Sequence, residues 1–158
     1  MNFVKKALKN ERGMTLIELL AVVVIIGIIA AIAIPSIGGL IDNTKKDAHV
    51  SNAKQMISSA KIWVAANTDD ADLIGAGKTL TLQNMIDDGQ MDEIEDPDNK
   101  SEVIDAAKSS VLIVRQANKK SYTYTVKEVG SERGIYATEK AVKRSNVKDA
   151  IPTTPATE

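Results

Sequence analysis

At 158 residues, with 26% charged and 44% apolar side chains, the chain has room for one folded domain, or for one domain beside a membrane segment, which excludes a catalytic module joined to a regulatory one. Aromatic residues make up only 3%, so any core is aliphatic, and the absence of cysteine excludes a disulfide framework, a thiolate metal site and a cysteine nucleophile. The net charge of −1 conceals an asymmetry: Lys5, Lys6, Lys9 and Arg12 oppose one acid, Glu11, before Gly13, and the 16 basic and 20 acidic side chains beyond it leave that part near −4.

Leu19 to Ile34 carries sixteen residues without a polar side chain, and counting from Met14 the mostly apolar stretch reaches twenty-one. As a helix it measures roughly 31 Å, enough to cross a bilayer core. The basic flank predicts a cytoplasmic N-terminus and an outside location for everything after Pro35. A secretory signal peptide also joins a basic region to an apolar one, and Ala31-Ile32-Ala33 loosely fits its cleavage pattern. Against it, the run exceeds what such a region needs, and apolar character continues through Ile37, Leu40 and Ile41.

Glu18 interrupts the apolar stretch, where an ionisable group costs at least ~2.5 kcal/mol and is expected to have a partner. Snorkelling to the headgroups from a helix end is the plainer explanation. The string Glu11-Arg12-Gly13-Met14-Thr15-Leu16-Ile17-Glu18-Leu19 resembles the prepilin processing site shared by type IV pilins, type II secretion pseudopilins and competence pilins. The resemblance implies cutting by a prepilin peptidase between Gly13 and Met14 and N-methylation of Met14, where most relatives have Phe. It also implies a role in assembly for Glu18. On physical grounds, an axial offset of about one helical turn between subunits would set the new Met14 amine of one against Glu18 of its neighbour, and low dielectric strengthens that pair.

Gly27 and Pro35 are common residue types in transmembrane helices, serving close packing and kinking. In related filaments the segment between a glycine and a proline at similar places loses helical hydrogen bonds. A helix with local weakness between Gly27 and Gly39 is therefore expected in the isolated subunit. Beyond Gly39 the pattern becomes amphipathic: Val50, Ala53, Ile57, Ala60 and Val64 recur at 3-4 spacing, widened by Met56 and Trp63, and the helix is expected to end near Asn67. His49 and Trp63 sit in or beside that pattern without a companion cluster, which favours core or surface roles.

Gly75-Ala76-Gly77-Lys78-Thr79 ends like a phosphate-binding loop, but Asp72 stands where a glycine is needed and no strand precedes it, so a flexible loop is expected. Leu80 to Asp88 reads as a short helix with Thr81 as N-cap and Gly89 as stop. Asp92, Glu93, Glu95, Asp96 and Asp98 crowd around Pro97 without EF-hand spacing and read as a solvated acidic turn. Strands are predicted at Val111–Gln116, Tyr122–Val129 and Gly134–Ala141, with turns at Asn118-Lys119-Lys120 and Gly130-Ser131.

The expected fold is thus α+β: a long N-terminal helix, transmembrane in its first half and amphipathic in its second, packed on an antiparallel sheet of about three strands, as in pilin relatives. Its parts are a leader at 1–13, an assembly helix at 14–38, an extracytoplasmic head at 39–151 and a disordered tail at 152–158. No catalytic constellation, metal site or cofactor is expected.

The leading functional reading is a structural subunit of a type IV pilus-like filament, a helical homopolymer drawn from a membrane pool and displayed at the cell surface. The resemblance adds an assembly platform and ATPase as partners. Alternatives are a pseudopilin of a secretion or DNA-uptake system, or a minor tip pilin acting as adhesin or DNA-binding module. For DNA the candidate contacts are the basic run Lys140, Lys143, Arg144 and Lys148, against an otherwise acidic chain.

Overall fold

The computed structural model describes residues 15–70, 73, 75–116 and 121–157. The leader with Gly13 and Met14, part of the acidic Asp69–Asp72 stretch, the Asn118-Lys119-Lys120 turn and Glu158 lie outside the described residues. The chain divides into two compact units, one up to Ile41 and one from Asp42 to the end.

Helix α1 runs Leu16–Ala66 and carries Pro35 within it. It stops one residue before the expected Asn67, whose side-chain amide donates to the Trp63 carbonyl at 2.8 Å and satisfies one of the orphan acceptors of the last turn. The weakness expected between Gly27 and Gly39 does not interrupt the helix assignment.

In the second unit, β1 (Lys78–Thr81), α2 (Leu82–Asp87), β2 (Ser110–Arg115), β3 (Tyr122–Val129), β4 (Gly134–Thr138) and β5 (Val147–Lys148) follow. The strands form one antiparallel sheet in the order β1-β2-β3-β4-β5. The expected strand count of about three is therefore corrected to five among the described residues. The two missed strands lie at the margins. β1 has only four residues and begins where a flexible loop was expected, directly after Gly75 and Gly77, both at φ +85°. β5 has only two residues, too few to show alternation. The last predicted strand is also shorter than expected, because its end, Glu139–Ala141, turns into a 3-10 helix.

Period-two alternation sends Leu80, Val111, Val126 and Ala137 to one face in register across four strands. With Ile113 and Ile135 they join Ala53, Met56, Ile57, Ala60 and Val64 of α1 in one buried aliphatic core. Short helix α2 fits its sequence: the Thr81 hydroxyl accepts from the Asn84 N–H while the Asn84 side chain accepts from the Thr81 N–H, and Gly89 supplies the left-handed residue after the helix.

Two expectations about loops are corrected. Asp92, Glu93 and Glu95 are exposed, but Asp96 is buried, and the Asp98 side chain is fully covered, so the acidic turn is not wholly solvated. A bridge between Glu95 and Val103 and the Ile104 N–H to Ile94 carbonyl bond tie this turn down. The stretch from Pro152, expected to lack fixed structure, is docked on β4. The Ala156 N–H donates to the Tyr136 carbonyl at 2.8 Å, and the Thr138 N–H donates to the Ala156 carbonyl at 2.9 Å.

Gly134 shows how closely this edge is packed. A Cβ there would lie 2.3 Å from the Glu128 carbonyl oxygen and 2.8 Å from Ile151 Cδ1. The first neighbour is backbone inside a strand and has no room to yield. Gly134→Ala is expected to cost ~1–3 kcal/mol, read as a lower melting temperature of the head; an unchanged melt would mean β3 and β4 are spaced more widely than described.

Candidate functional site: an exposed apolar helix and its carboxylate

Thr15 precedes the first helical residue and caps it. The Glu18 N–H donates to the Thr15 hydroxyl oxygen at 3.3 Å, while the Thr15 N–H and hydroxyl donate to Glu18 Oε2 at 2.7 and 2.8 Å. This is the reciprocal Thr-x-x-Glu capping arrangement, and it sets a negative side chain in the first turn, where the helix dipole favours it. Both local bonds fall on one carboxylate oxygen.

Above this cap, every Leu, Ile and Val from Leu16 to Ile41 is exposed, with Leu16 at 85% and Ile34 at 69%. Soluble monomers rarely show an apolar patch of this extent, so the surface requires lipid or protein against it. Among the described residues α1 is the one helix long and apolar enough to cross a membrane. Glu18 is its sole ionisable side chain before Asp42. Gly27 would have open space around an added Cβ, so no neighbour within the chain demands a glycine there.

Residues 8–34 match the sequence model of the prokaryotic N-terminal methylation motif. The chain is 41% identical over 71 residues to the type IV major fimbrial protein FimA of Dichelobacter nodosus. Both matches liken part of the chain to type IV pilins. The aligned part covers 45% of this chain and 42% of that relative, so the match spans less than half of either. No solved structure matches it.

The candidate residues are not gathered at one place. Glu18, Gly27 and Pro35 lie along the apolar half of α1. Lys140 and Arg144 lie on separate 3-10 turns, and Lys143 and Lys148 are exposed. Arg144 holds the Asp47 carboxylate with two nitrogens, Nε at 2.7 Å from Oδ1, so part of the basic run is already paired with α1.

Sequence reading missed a polar cluster inside the head. His49, described above as lacking a companion cluster, is fully buried with its Nδ1 2.8 Å from Glu128 Oε1 and its Nε2 3.0 Å from Asp98 Oδ2. Arg133 Nη2 lies 3.0 Å from Asp98 Oδ1 and its Nη1 lies 2.6 Å from Asp42 Oδ1. Asp96 accepts the Asp98 and Ser131 N–H groups at 2.8 and 2.5 Å. One signal was available: the alternation Tyr122, Tyr124, Val126 continues to Glu128, which places a carboxylate on the buried face. Its partners lie 79 residues earlier in the chain, at His49, beyond the reach of local pattern.

Burial pushes the His49 imidazole down, yet the hydrogen bonds and charges of Glu128 and Asp98 outweigh it and hold it above its ordinary value. Burial pushes Glu128 up, opposed by His49. Burial also pushes Asp96 up, but the Ser131 and Asp98 N–H groups prevail and leave it low. Ligand atoms of His49, Asp96 and Asp98 come within 4.8 Å of one another. Both Asp96 oxygens already accept backbone bonds, and Arg133 and Lys45 already bring positive charge to Asp98.

Proposed function

We propose that the chain is the precursor of a type IV pilus subunit. It is cut after Gly13, N-methylated at Met14, held in the membrane by residues 14–38 with the head outside, and polymerised through the apolar half of α1 into a surface filament. The exposed apolar helix with one carboxylate is the observation that carries this reading. Such a surface is covered by lipid in the membrane pool and by neighbouring helices in the filament. The similarity to a major fimbrial protein supports the same role.

Cleavage creates a cationic amine at Met14, next to the cap. Thr15 occupies one oxygen of Glu18, so the other oxygen is the acceptor for a neighbour's amine. The pair fixes axial register, as buried polar groups do in coiled coils. Gly27 permits close approach of a neighbouring helix, and Pro35, which lacks an N–H, removes one helical bond and eases stretching between Gly27 and Gly39.

Processing is tested with Gly13→Val expressed beside the native chain in a host with prepilin peptidase. The substitution is expected to leave a membrane-bound precursor at full length and no filaments in the sheared fraction. Filaments built from the uncut variant would contradict the proposed step.

A further inference from the structure

We propose that a proton locks the head: His49 is a buried imidazolium that ties α1 to β3 through Glu128 and to the 96–98 loop through Asp98, and this tie is released as pH rises.

Both ring nitrogens lie within hydrogen-bond distance of carboxylate oxygens, at 2.8 and 3.0 Å, and all three side chains are fully covered. A neutral imidazole has one N–H, so it would turn a lone pair toward one of the two carboxylates in a site closed to water. The imidazolium donates to both. The surrounding charge favours it as well. Asp42, Lys45 and Lys46 face the site from α1, Asp96 and Asp98 from the loop, Glu128 from β3, Arg133 from the turn before β4, and Asp149 lies beyond Arg133. These five carboxylates meet three permanent cations, and a proton on His49 reduces the imbalance.

The direction of the pH dependence follows. With the folded value of His49 raised above its unfolded value of about 6.5, this group's contribution to stability is fully present below the unfolded value. It is lost as pH rises through the folded one. Asp42 and Asp96 are lowered, so their contributions are lost only as pH falls through the folded carboxylate values. The head is therefore most stable in mildly acidic solution and loosens on the alkaline side.

The chain has one histidine, so 15N labelling of that residue in the full chain, in detergent micelles, reports this ring alone. Both ring nitrogens are expected to be protonated at neutral pH, with a titration midpoint above that of an ordinary histidine. Glu128→Gln is expected to lower the midpoint, and Asp98→Asn carries the same comparison if the first variant does not fold. The melting temperature should fall from neutral to alkaline pH in the native chain and stay level in His49→Gln. A ring with a single N–H at neutral pH, a midpoint that neither folded variant moves, or nitrogen shifts altered by EDTA, which would place a metal where the proton is assigned, each overturns the proposal.

Discussion

Glu18→Gln is expected to leave the subunit processed, inserted and folded, and to remove the filaments. Glutamine keeps the size of glutamate and much of its hydrogen bonding, so the Thr15 cap survives in weakened form and the helix still starts at Leu16. Insertion becomes easier, since a carboxylate in the apolar stretch costs ~2.5 kcal/mol or more. What is lost is the charge proposed to stand opposite a neighbour's Met14 amine. Leaving such an amine buried and unpaired costs about 3–5 kcal/mol, and 3 kcal/mol alone weakens each association step about a hundredfold. Because the proposed filament repeats that step at every subunit, sheared filament yield should collapse, and Glu18→Ala, which also removes the carboxylate's two bonds to Thr15, should do at least as much damage. Native yield from either variant, with cleavage intact, would mean that Glu18 only snorkels and that apolar packing alone sets register.

Ile57→Ala should lower the stability of the head by ~2–5 kcal/mol, the usual cost of truncating a large buried aliphatic residue. Ile57 is 3% exposed and sits in the core between Ala53, Ala60 and the sheet. Its neighbours on the helix are small, and with aromatics at 3% of the chain few large side chains are available to collapse into the gap. No disulfide compensates. The measurement is thermal or denaturant unfolding of a soluble head beginning at Asp42, the start of the second compact unit. A midpoint equal to that of the native head would mean that another face of α1 packs on the sheet.

The parts legible in the sequence were those whose signal is local. The apolar run, the 3-4 spacing from Val50 to Val64, the Thr81 cap and the alternation of β3 each repeat within a few residues, and each element stands where its pattern placed it. The misses share a different cause. β1 and β5 are four and two residues long, and they exist because longer strands beside them offer unpaired edges. The tail after Pro152 looks featureless in composition but finds backbone partners on β4. His49 and the acidic loop looked unrelated because a pairing between α1, the loop and β3 has no sequence period. Glu128, a charged residue where alternation asks for an apolar one, was the place at which local reading should have paused. For the apolar helix the reverse holds: its carboxylate and glycine were visible at once, because every other residue from Leu16 to Ile34 lacks a polar side chain.

Intact-mass measurement of subunits from native sheared filaments tests the central claim most directly. The predicted result is a chain beginning at Met14 with one added methyl group and ending with the C-terminal residues in place. A subunit that retains Met1, or one that begins after Ala33 as a cleaved secretory signal would leave it, would contradict the assignment of the apolar helix as the assembly element.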